Sequence, residues 1–371
     1  MKTLRRTLFT VHMWIGLTLG VLLAVLGLSG SLLVYDQAIA DFLSPPPRAL
    51  TAGMPLPLTM LADTAREAAA AQGLEGGQMQ LILPQKTGDV LVVRMGGISP
   101  MGNMPGMQSR RGLQIFLDPV SGEVLGTSKA VLLPFLIFAH QLHGNFLMGR
   151  SGRPLVGWLG VAMCLLGLSG LVLWWPRRGQ WKYAFKVRSE ATGLRFHREL
   201  HAATGIWMFV IFMAVSFSGV VIAWPQTMGL NPPGRPPSVV PTDGKRLGAT
   251  EAVIAAMAAV PGLQARSITI PARPDQPISV NYLSNGAVAA TVLIDPYRGK
   301  VLAVRDASES FLAWMRPVHQ GGLNAVWRFL VFLSGLAPAL FVTTGLLMWW
   351  KKRQRHVPMT MMTDDVTAEE I

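Results

Sequence analysis

The stretch His201–Trp224, with the sequence HAATGIWMFVIFMAVSFSGVVIAW, decides the fold class of this 371-residue chain. It contains no Asp, Glu, Lys or Arg, and at about 1.5 Å per residue it is long enough to cross a hydrocarbon core of about 30 Å. Three further apolar runs of similar length lie at Val11–Tyr35, Pro154–Trp175 and Ala325–Trp350. The sequence therefore predicts a membrane protein whose four transmembrane helices form a bundle.

The overall composition agrees with a membrane location and excludes several other classes of protein. Apolar residues make up 50% of the chain and charged residues 14%, whereas about a quarter of the residues in soluble domains are charged. The single cysteine, Cys164, excludes an intramolecular disulfide and a thiolate-bound iron–sulfur cluster. It also excludes a multi-cysteine zinc site and covalent C-x-x-C-H attachment of haem.

The first apolar run has two readings. It follows the basic residues Lys2, Arg5 and Arg6, and residues 38–40 read Ala-Ile-Ala, so it resembles a secretory signal peptide with a cleavage site. Its apolar core of about 25 residues is longer than the 7–15 residues of a signal peptide. We therefore expect a retained transmembrane helix.

The positions of the basic residues predict how the helices cross the membrane. Three precede the first apolar run, seven lie in the segment 176–198 beside one acidic residue, and four follow the last run. The segments 36–132 and 225–318 are nearly balanced in charge. The positive-inside rule then predicts that both termini and the segment 176–198 lie in the cytoplasm, and that the two balanced segments lie on the other side, which is the periplasm in a Gram-negative cell. The net charge of +13 thus reflects orientation and predicts no binding of nucleic acid.

The two halves of the chain repeat the same motifs in the same order. This pattern predicts an internal two-fold duplication in which each copy has a helix, a periplasmic α+β module, an outer histidine and a second helix. In each module we expect one helix, then strands that meet at an Asp-Pro-x-x-Gly turn. The matching motifs are His12-x-x-x-Gly16 and His201-x-x-x-Gly205, Asp118–Gly122 and Asp295–Gly299, His143-Gly144 and His319-Gln320-Gly321, and Trp174-Trp175 and Trp349-Trp350.

These motifs and runs divide the chain into eight predicted segments. The predicted order is transmembrane helix 1 (1–35), the first periplasmic module (36–132), an outer histidine segment with transmembrane helix 2 (133–175), the cytoplasmic basic loop (176–198), transmembrane helix 3 (199–224), the second periplasmic module (225–318), an outer histidine segment with transmembrane helix 4 (319–350) and the cytoplasmic tail (351–371).

Four histidines at matching positions are the candidate cofactor ligands. Ionisable residues at membrane depth are costly and are functional by default, and histidine binds haem iron readily. A b-type haem with two imidazole ligands needs one histidine from each of two helices. His12 with His201 would supply a haem on the cytoplasmic side, and His143 with His319 would supply a haem on the outer side.

Two further histidines are alternative ligands. His197 precedes His201 by four positions and shares its helix face, and His140 precedes His143 by three. An interfacial histidine can also extend its ring toward lipid headgroups or cap a helix without binding a cofactor. A zinc or copper site is less favoured because no H-E-x-x-H motif or His/Cys cluster is present.

Two local features carry weaker expectations. His143 lies too far before Trp174 for one straight spanning helix, so we expect His140 and His143 on a short outer helix or loop with a break near Gly149–Pro154. The Gly-rich segment 95–107 contains Met95, Met101, Met104 and Met107. Thioethers bind Cu(I), but the favoured interpretation is a mobile loop that contacts substrate or membrane.

Together these motifs resemble the PepSY-associated transmembrane proteins, which include bacterial ferric-siderophore reductases of the inner membrane. The resemblance covers nearly the whole chain. It is carried by His12-x-x-x-Gly16, Leu142-His143-Gly144, the stretch Phe196–Trp207, the two Asp-Pro-x-x-Gly turns and the Trp-Trp-basic helix ends. It implies four membrane helices, two periplasmic PepSY-like modules, b-type haems and reduction of an Fe(III) siderophore in the periplasm to release Fe(II).

The resemblance also implies an electron donor, and it leaves two other functions open. Some relatives carry fused cytoplasmic flavin or reductase domains; because only a short tail follows Trp350, we expect a separate cytoplasmic reductase or a quinol as donor. One alternative is a non-enzymatic membrane anchor whose PepSY-like modules bind a periplasmic partner. The other is a transporter of iron or of a chelate, which the lack of charges deep in the spans disfavours.

Overall fold

A computed structural model describes residues 2–96, 113–129, 134–225, 236–242, 244–284, 287–306 and 311–354. The chain divides into a helical unit (Met1–Val34, Ala139–Trp224 and Arg328–Ile371) and a sheet unit (Tyr35–Phe138 and Pro225–Trp327). The helices are α1 (Lys2–Val34), α2 (Asp36–Leu43), α3 (Leu58–Ala70), α4 (Pro134–Asn145), α5 (Gly152–Trp174), α6 (Trp181–Ala184), α7 (Gly193–Ala223), α8 (Ala249–Ala259), α9 (Phe311–Gln320) and α10 (Ala325–Gln354). The strands are β1 (Gln78–Ile82), β2 (Leu91–Gly96), β3 (Leu113–Leu117), β4 (Val124–Lys129), β5 (Gln264–Ile270), β6 (Ile278–Ser284), β7 (Ala287–Ile294) and β8 (Val301–Asp306).

Four helices in the described part of the chain are long and apolar enough to cross a membrane. They are Thr3–Val34, Gly149–Trp174, Gly193–Ala223 and Ala325–Gln354. The prediction of four transmembrane helices is confirmed at this level. Helices α1, α7 and α10 continue beyond their apolar runs through Lys and Arg residues, because these straight-chain residues are good helix formers.

Small residues let the helices of the helical unit approach each other closely. Gly27 of α1 lies so near the backbone carbonyl of Gly335 in α10 that a Cβ atom at either position would collide with the partner helix. Gly160 of α5 has the same relation to the Val220 side chain of α7. Membrane helices gain van der Waals contact from such close packing because apolar side chains gain little by leaving the equally apolar lipid tails.

A sharp break separates α4 from α5. Phe146 and Leu147 have the positive φ angles of +49° and +63°, which are uncommon outside glycine. One turn of 3-10 helix, Gly149–Ser151, then leads into α5. The predicted break near Gly149–Pro154 therefore begins three residues earlier, and it allows His143 and Trp174 to lie on different helices.

The sheet unit contains one continuous antiparallel sheet in the order β4-β3-β2-β1-β5-β6-β7-β8. The two outer segments each contribute one four-strand meander, and β1 pairs with β5 so that Leu81 lies opposite Ile268. The sequence predicted two α+β modules, and in the structure the strands of the two segments join in one sheet. Strand β1 lies at one edge of the first meander and β5 at one edge of the second. Their pairing gives hydrogen-bond partners to backbone groups that would otherwise be unpaired at two strand edges.

Helices α3 and α8 cover one face of the sheet with small side chains. Their buried positions are alanines, apart from Leu61, and they pack against alternate strand residues in a single core. At the start of the two helices the backbone N–H of Thr59 donates to the Thr250 hydroxyl at 3.0 Å, and the N–H of Thr250 donates to the Thr59 hydroxyl at 3.2 Å. These reciprocal bonds cap both helices and tie the two segments together.

The Asp-Pro-x-x-Gly turns have the geometry that their sequences predict. Asp118 accepts hydrogen bonds from the backbone N–H groups of Val120, Ser121 and Thr51, and Gly122 has a φ of +74°. Burial alone would raise the pKa of the Asp118 carboxyl, but these N–H donors outweigh burial and hold the pKa below its ordinary value.

This carboxylate predicts an acid-sensitive contribution to stability. Because the pKa of Asp118 is lower in the folded state, its contribution is complete above its unfolded pKa of about 3.9 and is lost as pH falls below that value. We expect Asp118→Asn to destabilise the protein by about 1 kcal/mol at pH 7, since bonds to a charged acceptor are stronger than bonds to a neutral one. Thermal unfolding of the purified protein at pH 7 and pH 3.5 measures this effect, with the exposed Glu123→Gln as control. The prediction would be wrong if Asp118→Asn lowered the stability of the protein by the same amount at both pH values.

Candidate functional site

The helical unit contains a large cavity at the end where α1 and α7 begin. Its volume is about 1070 Å³, near the upper end of the range of about 300–1,000 Å³ that is typical of small-molecule sites. Residues of α1, α5, α7 and α10 line it, and most of them are apolar. His12 and His201 both line this cavity. The structure thus brings together two of the predicted ligands.

The two imidazole rings face one another at a defined separation. The ring centroids of His12 and His201 lie 6.3 Å apart and the ring planes make an angle of 74°. Phe341 of α10 packs against the His201 ring at a centroid distance of 5.0 Å. The two rings thus meet edge to face in the cavity, at a separation within the range of about 4.5–7 Å that such ring pairs adopt.

A hydroxyl group on a neighbouring helix holds each ring. The Nδ1 atom of His12 lies 2.8 Å from Oγ of Ser169 in α5, and Nδ1 of His201 lies 2.8 Å from Oγ1 of Thr344 in α10. Each imidazole has only two nitrogen atoms, and Nδ1 is engaged in both. Nε2 is therefore the candidate ligand atom in each ring, and the His12 ring also makes a hydrogen bond to the backbone of Leu166.

Glycines open the cavity beside the two histidines. Gly16, Gly205 and Gly345 all line it, and a Cβ atom at any of them would meet no other atom within 4 Å. A Cβ at Gly170 would meet Cε1 of His12 at 3.4 Å. Gly16 and Gly205 lie one helical turn after the two histidines, so the His-x-x-x-Gly motif places an imidazole and an open surface on the same helix face.

One end of the cavity is strongly basic. Arg195 is paired with Glu199 at 2.9 Å, and the Arg5 guanidinium donates to the carbonyl oxygen of Leu173 at 2.6 Å. These contacts hold the guanidinium groups near the helix ends. The basic residues that line the cavity are Arg5, Arg6, Arg195, Arg198 and Lys352.

The two alternative histidines lie elsewhere in the helical unit. His197 is one turn before His201, yet it is not among the residues that line the cavity, and its Nε2 lies 3.3 Å from Nζ of Lys351. His140 is half-buried in α4. The geometry therefore separates His201 from His197, although both lie on the helix face that the spacing predicted.

The outer histidines lie in different units. Nδ1 of His143 is 2.9 Å from the backbone oxygen of Leu26, and the ring packs directly against Gly30 of α1. His319 lies in α9 of the sheet unit. Its pairing with His143 on one iron stays a prediction.

Other metal sites find no support among the residues that the structure describes. No group of three or more His, Cys, Asp or Glu side chains comes together there. Met95 is buried in β2, whereas Met101, Met104 and Met107 lie outside the described residues. The Cu(I) hypothesis for the segment 95–107 therefore stays a prediction.

Sequence reasoning missed the two hydroxyl partners of the histidines and the cavity glycines Gly170 and Gly345. Ser169 and Thr344 are ordinary residues within apolar runs, and nothing local marks them. A signal was nevertheless present, because Ser169 and Thr344 are separated by the same 175 positions as Trp174 and Trp349. Comparison of the two halves position by position would have found them.

Comparison with known proteins identifies relatives of the chain. A family model described as the PepSY-associated TM region matches residues 9–352. The uncharacterized protein PA4219 of Pseudomonas aeruginosa is 27% identical over 265 residues. That match covers 60% of this chain and 64% of the relative's length.

Proposed function

The protein belongs to the PepSY-associated transmembrane family, and we propose that it is a haem-containing electron-transfer protein that reduces Fe(III)–siderophore complexes to release Fe(II). The observation that carries this proposal is the pair His12 and His201. Two imidazoles face each other across a cavity in a membrane-spanning bundle, and both are held through Nδ1.

The separation of the two rings would suit two histidine ligands of one iron. A metal–nitrogen bond to histidine is about 2.0–2.1 Å long, so two rings that bind one ion would stand several ångströms apart. The observed separation of His12 and His201 is 6.3 Å. The cavity that both rings line, together with this separation, supports the role of iron ligands.

The shape and chemistry of the cavity also suit a porphyrin. The macrocycle supplies the equatorial ligands of its iron, so a haem needs only two protein ligands, whereas zinc sites need three or four. The open faces at Gly16, Gly205 and Gly345 leave room for a flat apolar ring. The guanidinium groups at the basic end, such as that of Arg198, suit the carboxylates of haem propionates.

These residues would hold the haem and set its properties. When bound, a b-type haem supplies a one-electron couple whose potential depends on the axial ligands, hydrogen bonding and burial. His12 and His201 would bind the iron, while the apolar lining would exclude water. A second haem on His143 and His319 stays a prediction from the repeated motifs, and the Leu26 carbonyl would orient the His143 ring.

We infer the orientation of the protein from its charges. The basic end of the cavity lies where α1 and α7 begin and α10 ends, so the positive-inside rule predicts that this end faces the cytoplasm. The sheet unit would then lie in the periplasm of a bacterial inner membrane. Matching motifs, matching meanders and the reciprocal Thr59–Thr250 contact support descent from an internal duplication.

The proposed reaction follows from the preferences of iron. Hydroxamate and catecholate oxygens are hard ligands, which bind Fe(III) far more tightly than Fe(II). Transfer of one electron to the complex therefore weakens it and releases Fe(II). A cytoplasmic reductase or a quinol would supply the electron, and the lipid bilayer separates that donor from the chelate.

The haem content of the purified protein tests this proposal. From cells with ample haem we expect a red preparation with a b-type reduced-minus-oxidised spectrum and about two haems per chain. The chemically reduced protein should be reoxidised anaerobically by a ferric hydroxamate, with Fe(II) captured by a colorimetric chelator. An Al(III) hydroxamate, which cannot be reduced, is the matched control.

The outcomes separate the alternatives. A colourless protein from haem-replete cells would overturn the reductase proposal and favour an anchor that binds a partner through its sheet unit. If the protein contains haem but ferric chelates do not change its reoxidation rate, the electron-transfer role would stand and the ferric chelate would not be its substrate. Uptake of intact chelate by vesicles that contain the haem-free protein would favour a transporter.

A further inference from the structure

We propose that Ser169 and Thr344 are positioning residues that fix His12 and His201 in the Nδ1–H tautomer, so that both Nε2 lone pairs are available to one metal ion. This inference rests on the proposed function for its metal, but the assignment of protons rests on hydrogen-bond geometry alone.

The proton of each hydroxyl is already committed within its own helix. Oγ of Ser169 lies 2.6 Å from the carbonyl oxygen of Leu165, and Oγ1 of Thr344 lies 2.8 Å from that of Leu340. A carbonyl oxygen can only accept, so the hydroxyl must be the donor in both contacts. A hydroxyl has one hydrogen, and this contact uses it.

The histidine must therefore donate to the hydroxyl. With its hydrogen directed at the helix carbonyl, the hydroxyl presents only lone pairs to the imidazole at 2.8 Å. An unprotonated Nδ1 would place lone pair against lone pair. The arrangement in which every contact is favourable carries a hydrogen on Nδ1 of both His12 and His201.

Protonation at Nδ1 decides which nitrogen can bind a metal. A neutral imidazole has one N–H group, so Nε2 of each ring is left unprotonated. A hydroxyl is a neutral acceptor, and it orients the ring without placing a second charge in the membrane, which would be costly. His143 follows the same rule with a different partner, because its Nδ1 faces the Leu26 carbonyl oxygen at 2.9 Å.

The chain supplies a matched control for one of the two hydroxyls. Thr343 is next to Thr344 in α10, and its hydroxyl makes the same type of bond, to the carbonyl of Ala339 at 2.8 Å. Thr344 is buried whereas Thr343 is exposed, and the hydroxyl contact to a histidine belongs to Thr344. Thr343→Val therefore removes a helix back-bond without removing a histidine partner.

The first experiment measures haem binding by the full-length protein. We expect Ser169→Ala and Thr344→Val to weaken the affinity of the haem-free protein for added haem at this site by about 10–100-fold, the usual effect of losing an outer hydrogen-bond partner. They should also shift the midpoint potential and the electron paramagnetic resonance spectrum of the haem that is bound. Thr343→Val should change neither, and Thr344→Ser should restore both.

The second experiment reads the tautomer without haem. Nitrogen-15 NMR of the haem-free protein with labelled histidine, assigned by loss of signals in His12→Ala and His201→Ala, should show protonated Nδ1 and unprotonated Nε2 in both rings. Thr344→Val should give a tautomer mixture at His201. Protonated Nε2 in the parent, or Thr344→Val indistinguishable from Thr343→Val in both experiments, would overturn the inference. A parent that binds no haem but shows the expected tautomers would reject the proposed function and leave the proton assignment supported.

Discussion

His201→Ala is expected to abolish haem binding in the cavity and with it the reduction of ferric chelates. Loss of an outer-shell partner already lowers metal affinity by about 10–100-fold, so loss of a direct ligand should exceed that range. His201 is one of the two histidines that line the cavity, and Thr344 holds its Nδ1. The haem content per chain should fall by about half if both proposed haems are present in the parent.

His197→Ala is the matched control for this prediction. It removes a histidine from the same helix, one turn away, whose Nε2 faces the Lys351 ammonium group. We expect a haem content and a reduction rate within experimental error of the parent. If His197→Ala lost the haem and His201→Ala kept it, the ligand assignment would be reversed, and size-exclusion profiles of both variants would show whether either change had damaged the fold.

Gly205→Leu is expected to exclude the haem from the cavity while the helical bundle stays intact. A Cβ atom at Gly205 would meet no other atom within 4 Å, and the residue lines the cavity one turn after His201. The leucine side chain would therefore fill space that a porphyrin needs. Leucine also favours a helix over glycine by almost 1 kcal/mol, so loss of haem in this variant would not reflect loss of helix. Gly16→Leu should act in the same way from α1.

Gly27 lies on the same helix as Gly16 but packs against α10, so its substitution by leucine is expected to damage the fold. Gly27→Leu would drive its side chain into the backbone of Gly335, and overpacking of this kind typically costs about 1–3 kcal/mol or more. We expect Gly27→Leu to lower the unfolding temperature and the yield, whereas Gly205→Leu should unfold at or above the temperature of the haem-free parent. Full haem content in Gly205→Leu would show that the cavity is not the haem site.

Residues that act through local properties were predictable from the sequence. The apolar runs predicted four membrane helices because length and hydropathy alone decide whether a segment can cross a bilayer. The Asp-Pro-x-x-Gly turns were predictable for a similar reason, since Asp118 and Gly122 satisfy their turn within five residues. The histidines were recognised because an ionisable side chain at the end of an apolar run is costly unless it has a function.

Contacts between distant residues were not predictable in the same way. The sheet unit is an example, because the sequence predicted strands that meet at each Asp-Pro-x-x-Gly turn but did not predict the pairing of β1 with β5. Each meander ends in an open edge, and a sequence does not say whether water, another chain or the other meander will satisfy it. The sequence therefore predicted two α+β modules but not that their strands would join in one sheet.

The amino-acid sequence by itself thus determined the membrane class, the four helices, the repeated order of motifs and the identity of the candidate histidines. Only the tertiary structure decided that His12 and His201 face each other at 6.3 Å, that His197 lies outside the cavity, and that Ser169 and Thr344 hold the two rings. The physical reason is that hydropathy and turn formation depend on neighbours in the chain. Ligand geometry and hydrogen bonding instead depend on distances of a few ångströms between residues on different helices, and these distances exist only once the helices have packed.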